Sequence, residues 1–256
     1  MSGSSGDWQP LDVELQAWAA AGLQATLWWR DDDAIEPTPA LDRMLALSQR
    51  FAVPLGLAVI PAKATPALAD RLRPALTVDV LQHGFSHQNH AGPNERAAEF
   101  GPQRPLDARL AEQERGWHML DAFLRRVPIF VPPWNRYDRE LAQGFSSHGL
   151  KAISAFGDSN RLPFPIVECN CHIDIISWRT TRGFAGVAKT VSKLADHLHA
   201  RRSSTDGADA VTGLLTHHLV HDEACWSFLT DLFAHLQHPC VRWVRPMDAV
   251  RAPPGT

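Results

Sequence analysis

The chain is poor in the features that mark several large classes of protein. Its 256 residues include four cysteines, Cys169, Cys171, Cys225 and Cys240. Their spacing fits neither a zinc ribbon nor a small disulfide framework, so they read as reduced or incidental. No Lys/Arg cluster extends beyond short pairs such as Arg125-Arg126 and Arg201-Arg202, and the formal net charge is −3, so no basic groove for nucleic acid is expected. No segment is apolar for long enough to span a bilayer. The opening Met-Ser-Gly-Ser-Ser-Gly-Asp lacks the charged start and apolar run of a secretory leader, which points to a cytoplasmic location; its Gly-Ser-Ser-Gly also resembles a cloning linker. With 45% hydrophobic residues the chain is neither disordered nor fibrous, and it has ample material for a core.

What the chain does have is a regular alternation. Short apolar runs rich in β-branched or aromatic residues, at 24–29, 54–60, 77–81, 129–131, 151–154, 166–176, 210–216 and 240–244, read as strands. Helical patterns lie between them. Thr38-Pro39 reads as an N-cap followed by proline at the first helical position, with Leu41, Met44 and Leu45 on one face. Leu110, Trp117, Leu120 and Leu124 mark a longer amphipathic helix. Repeated β-then-α order implies a mainly parallel sheet, and seven or eight units favour an α/β barrel over an open sheet. Residues 91–105 and 203–207 read as surface loops, leaving an N-terminal segment of uncertain order (1–20), a single domain (21–251) and a short tail (252–256).

Two runs carry chemistry. Asp31, Asp32 and Asp33 end one strand candidate, and His83-Gly-Phe-Ser-His87 ends another. Carboxylate oxygen and paired imidazole nitrogens together suit a divalent cation, and a spare carboxylate suits the activation of water. Among thirteen histidines a pair at spacing four arises by chance, and His217 and His221 form a second one. Context distinguishes the first pair: Gly84 relieves the backbone where strand turns to loop, and strand ends of such barrels carry function. His217 also follows a strand, so three strand ends converge on one face.

The order Asp-Asp, His-x-x-Ser-His, Pro132-Pro133-Trp134 and Leu215-Thr216-His217 resembles the polysaccharide deacetylases, the NodB-homology enzymes of carbohydrate esterase family four, over roughly residues 28–247. The resemblance implies a distorted (β/α) barrel of about seven parallel strands. It also implies a hydrolase that removes an N-acyl group, acetyl first, from an amino-sugar polymer or oligomer. Asp32 falls on the family's catalytic base and His217 on its general acid, with His218 as the rival. Asp33, His83 and His87 fall on the metal ligands; a shift by one would make Asp31 the base and Asp32 the ligand. Zinc is the first metal expected, with cobalt, nickel and manganese suited to the same donors. Pro133, Trp134, Asp174 and Trp178 fall on supporting or substrate-binding positions, and carbohydrate is the implied partner.

The chain also departs from the family pattern. Val131 stands where the family has the arginine that holds the catalytic aspartate, and Arg30 and Arg136 are the candidates to replace it. Ser177 stands where a second acidic residue is common. These losses motivate a competing expectation of a weakened barrel that binds carbohydrate or a protein without turnover. A third expectation is a cytoplasmic hydrolase of small acylated amines or cyclic ureides. Trp28, Trp29, Trp117 and Trp243 read as core, whereas Trp134 and Trp178 are placed to line a groove. His221, Asp222 and Glu223 read as a solvated helix start.

Overall fold

The strand that carries three consecutive aspartates pairs with three neighbouring strands. In the computed structural model, residues 5–250 are described except 146, 160–161, 163–164, 205–206 and 208–209; the expected tail at 252–256 lies outside the described residues. The elements run α1 (Ser5–Ala20), β1 (Ala25–Ala34), α2 (Pro39–Phe51), β2 (Leu55–Val59), α3 (Pro66–Leu72), β3 (Val78–His83), α4 (Leu106–Met119), β4 (Arg126–Val131), α5 (Leu141–Phe145), β5 (Ala152–Ile153), β6 (Val167–Glu168), β7 (Ile173–Asp174), α6 (Val187–Ser203), β8 (Thr212–Thr216), α7 (Glu223–His235), β9 (Val241–Trp243) and α8 (Pro246–Ala249). The strands pair in the order β6-β5-β4-β3-β2-β1-β8-β7, with β9 beside the start of β1, and every pairing between them is parallel.

This is the expected α/β architecture, a parallel sheet curled into a distorted barrel with helices outside it. The run 166–176, expected as one strand, divides into β6 and β7, because its two halves serve opposite edges. Cys169 N–H and Cys171 N–H donate to the carbonyls of Ile153 and Ala155 on one side, while His172 N–H and Ile175 N–H donate to Gly213 and Leu215 on the other. One stretch therefore joins the two edges of the sheet. The helix expected around Leu110 to Leu124 stops at Met119, and Leu124 is exposed. Its buried face is Arg109, Gln113 and Gly116, so polar contacts rather than a leucine stripe seat α4: Arg109 pairs with Asp138, and Gln113 Nε2 donates to Gln82.

The opening of α2 follows the expected chemistry, with Thr38 Oγ1 accepting from Leu41 N–H at 3.0 Å and Pro39 at the first helical position. Leu41, Met44 and Leu45 are buried. Residues 5–20, read as part of a segment of uncertain order, form α1. Trp8, Leu11, Leu15 and Trp18 recur along it at helical spacing and are buried in the layer between the sheet and the outer helices. A second apolar cluster, including Trp28, Ala58, Leu81, Ile129, Val131 and Leu215, fills the barrel interior. A third, around Phe100, Phe130 and Phe145, lies under α5. Trp29 is fully buried, like Trp28, while Trp117 and Trp243 pack partly buried against the core. Among the described residues no helix is long and apolar enough to cross a membrane.

Candidate active site

Strand alternation assigns the faces of β1. Trp28, Arg30 and Asp32 share one face and Leu27, Trp29 and Asp31 the other. Trp28 lies in the barrel interior and Trp29 in the outer layer. The alternation then breaks: Asp31 is in register with Leu57 but Ala34 with Val59, so β1 has one extra residue and bulges between them. Asp33 takes φ 75 within that bulge. Three consecutive aspartates thereby enter three different environments.

Asp31 faces outward and is fully buried. Its Oδ2 accepts from Thr216 Oγ1 at 2.7 Å and from His218 N–H at 2.9 Å, and its Oδ1 pairs with His218 Nδ1. Burial acts to raise this carboxyl, but His218, His221 and Thr216 outweigh it and hold it low. Asp31 thus ties together the residues on both sides of His217. Asp31 is engaged by Thr216 and His218, whereas Asp32 and Asp33 are the aspartates that meet His217, His83 and His87.

Asp32 faces inward against Arg30. The guanidinium sets Nη2 3.0 Å from Oδ2 and Nε 2.9 Å from Oδ1, the latter an ion-pair contact rather than a directed hydrogen bond. The same guanidinium donates to the Ser154 carbonyl and hydroxyl, to the Ala155 carbonyl and to Asn135 Oδ1 at 2.6 Å. A planar fork held at both ends fixes the carboxylate plane. Arg30, two residues before Asp32 on the same strand, therefore makes the contact to Asp32 that the resemblance leads one to expect of an arginine at position 131. Arg136 turns elsewhere, to the Ala97 carbonyl. His217 Nε2 approaches Asp32 Oδ2 to 3.9 Å.

Asp33 Oδ1 lies 3.0 Å from His83 Nε2 and 3.3 Å from His87 Nε2. The three ligand atoms all fall within 4.8 Å of one another. His83 Nδ1 is 3.1 Å from the Val131 carbonyl, which can only accept, so Nδ1 carries the hydrogen and Nε2 is turned to Asp33. Burial disfavours a charged His83, yet Asp32 and Asp33 reverse that and raise its pKa; burial also acts to raise the Asp33 carboxyl, and His83, His217 and His87 drive it far below the usual carboxylate range. Two imidazole nitrogens facing one carboxylate oxygen call for positive charge at that point. This donor set fits a zinc-like divalent ion.

The loop carrying His87 is held by a residue that motif reasoning passed over. Glu99 is fully buried, and its carboxylate accepts from the N–H groups of Phe85, Ser86 and Gln88 and from Ser86 Oγ. At Gly84, φ 57, an added Cβ would meet Pro133 Cγ at 2.5 Å as well as Glu99, so only glycine fits. His87, Trp134 and Asn135 each take φ 56, and the Trp134 ring lies 4.3 Å from that of His87. Left-handed backbone at Asp33, His87, Trp134 and Asn135 concentrates strain around this cluster, as at many functional sites.

Asp174 and Trp178 reach the same place from the far edge of the sheet. Trp178 Nε1 donates to Asp174 Oδ2 at 2.8 Å, and the Trp178 ring sits edge-on to His217 at 4.7 Å. Burial raises the Asp174 carboxyl against the opposing pull of His217. Ser177, in the position of a second acidic residue, instead contacts Thr180. Asp222 caps α7 by accepting from Cys225 N–H, and exposed Glu223 pairs with Arg43, so both serve the helix start. His221 is half-buried, edge-on to Trp226, with both ring nitrogens shielded from solvent.

Comparison with known proteins gives a consistent fold. No protein-family model matches the chain, and no curated protein matches its sequence. Among solved structures, a putative polysaccharide deacetylase from Mycobacterium smegmatis is similar with a TM-score of 0.63 at 16% identity, covering 89% of this chain and 88% of that one. A family 4 carbohydrate esterase from Streptomyces lividans, in complex with acetate, gives 0.55 at 13% identity over 86% and 91%. A family 4 acetyl xylan esterase from Clostridium thermocellum, in complex with a cobalt ion, gives 0.53 at 13% over 88% and 89%. The chain therefore has the fold of the family 4 carbohydrate esterases, the NodB-homology barrel.

Proposed function

We propose that the protein is a metal-dependent hydrolase that removes an N-acyl group, acetyl first, from an amino-sugar polysaccharide or oligosaccharide. The observation that carries this reading is the 3.9 Å approach of His217 Nε2 to Asp32 Oδ2 beside the Asp33, His83 and His87 donors. The shared fold and the esterase and deacetylase activities in the names of its neighbours support it.

Asp33, His83 and His87 would hold the cation. When bound, a divalent ion supplies Lewis acidity toward the acyl oxygen and toward water. The remaining work belongs to the chain's own groups. Asp32 Oδ2 takes the proton of the attacking water, with its plane set by Arg30. His217 Nε2 delivers a proton to the departing nitrogen, which is too poor a leaving group without one. Trp178 and Asp174 orient the His217 ring. Trp134, against His87, gives the sugar an apolar wall.

Arg30 bears on the non-catalytic alternative. That alternative rests on the missing arginine and on Ser177 in place of a second acidic residue; a guanidinium paired with the same carboxylate speaks against the first of these and supports turnover. The test is acetate release from N-acetylglucosamine oligomers by protein loaded with zinc or cobalt, alongside His83→Ala. Release by the wild type alone is expected, whereas equal activity in the two would overturn the metal assignment.

A further inference from the structure

Three arginines on three separate loops lie close in sequence to residues of the proposed site. Arg136 directly follows Asn135, whose Oδ1 accepts from Arg30. Arg96 lies three residues before Glu99, which anchors the loop of His87. Arg179 directly follows Trp178, the ring against His217. A cavity of about 330 Å³ opens beside the 3-10 turn at Pro133–Asn135, lined by Arg96, Arg136, Glu95, Gln103 and Tyr137 among others. That is within the range of small-molecule pockets, about 300–1,000 Å³.

The charge of this cavity is not balanced locally. Neither Arg96 nor Arg136 forms an ion pair among the described residues, and the same holds for Arg179. Glu95 is the one carboxylate in the named lining, and it is turned to Gly92 N–H and Gln103 Nε2. Burial, followed by the nearby charges of Arg96 and Arg179, lowers the proton affinity of Arg136; Arg96 and Arg136 line the cavity, and Arg179 adds its charge from outside the lining. Guanidiniums that repel one another around a cavity are positioned to share an oxyanion.

We propose that this cavity is a subsite for an anionic substituent, a carboxylate or phosphate, carried by the acylated substrate next to the group that is cleaved. The proposal rests on the deacylase reading for its substrate but not for its binding test. The probes are an N-acetylglucosamine trisaccharide, the same trisaccharide with one sugar oxidised to the uronic acid, and the same trisaccharide bearing one phosphate. Calorimetry on zinc-loaded protein at low salt is expected to show one or both charged probes binding about tenfold tighter than the neutral one, and the stronger of the two identifies the oxyanion. The preference should shrink severalfold in 1 M salt, where the Debye length is only about 3 Å.

Arg96→Gln, which disturbs no hydrogen bond among the described residues, should cut the preference severalfold. Arg96→Gln with Arg136→Gln should reduce it to unity. Equal binding of all three probes, failure of both charged probes to bind, or a preference that survives the double substitution overturns the subsite. Acetate release from the same trisaccharides reads the deacylase reaction separately. Charge-selective binding without release removes that reaction and leaves the subsite, and release without charge selectivity does the reverse.

Discussion

Two His-x-x-x-His segments end strands of this barrel, and the fold uses them in opposite ways. After β3, left-handed turns at Gly84 and His87 curl the chain back, so that both imidazoles meet Asp33. After β8, a 3-10 turn at His218–Val220 carries the chain outward. His217 then faces Asp32, and His221 is half-buried, edge-on to Trp226, with neither ring nitrogen hydrogen-bonded among the described residues. In the proposed reading the first pair holds the cation, while the second supplies one proton-transfer imidazole, His217, and one that takes no part, His221. Identical spacing yields different chemistry because the turn between the histidines, and the carboxylate each one meets, differ.

That contrast can be sharpened first at His217. His217→Ala is expected to lower kcat for acetate release by about 10²–10⁴-fold, the usual range for a lost proton-transfer group, while metal content stays at the wild-type level. Loss of metal together with activity would merge the two segments into one site. Next in size is Arg30→Met, which strands the buried Asp32 carboxylate. Breaking a buried pair from one side costs about 3–5 kcal/mol, so urea denaturation should show a loss of that order along with most of the activity. An unchanged unfolding midpoint would separate Arg30 from Asp32.

Asp31→Asn tests the clamp on the backbone around His217. Replacing the carboxylate that serves Thr216 and His218 should cost about 1–3 kcal/mol, the penalty for a buried polar group left poorly satisfied. Stability equal to the wild type would show that the clamp is dispensable. The smallest effect is expected at His221, whose pKa burial lowers to about 4. The folded state thus prefers neutral His221; the stability this confers is complete above pH 6.5 and is lost as pH falls through about 4. His221→Phe should leave the melting temperature near that of the wild type at pH 8 and flatten its decline between pH 6.5 and 4. An unaltered pH profile would mean that His221 titrates normally.

Much of the fold was legible because alternation and capping are local. Thr38-Pro39 opened α2 as its chemistry requires, and the β-then-α order led to a parallel barrel. Where contacts are distant, the reading failed. Nothing within 166–176 shows that its halves pair with opposite edges of the sheet. In α4 the buried face is polar, because Gln82 and Asp138, remote in sequence, supply its partners.

The candidate site divides along the same line. Asp32, Asp33, His83, His87 and His217 could be picked out by type and order, and the structure brings them together. The bulge that separates the three aspartates could not, since it depends on register with β2. Period-two alternation already set Arg30 and Asp32 on one face, the signal by which Arg30 could have been preferred over Arg136. Glu99 and Asn135 left no such signal. Glu99 acts on backbone N–H groups, and Asn135 depends on an unusual left-handed turn.

The claim at the centre is that one histidine pair binds a divalent ion and the other does not. Equilibrium dialysis against zinc, followed by elemental analysis of wild type, His83→Ala and His221→Ala, measures it directly. The expected result is about one ion per chain in the wild type and in His221→Ala, with almost none in His83→Ala. Equal zinc in the wild type and His83→Ala, or its loss in His221→Ala, would contradict the account.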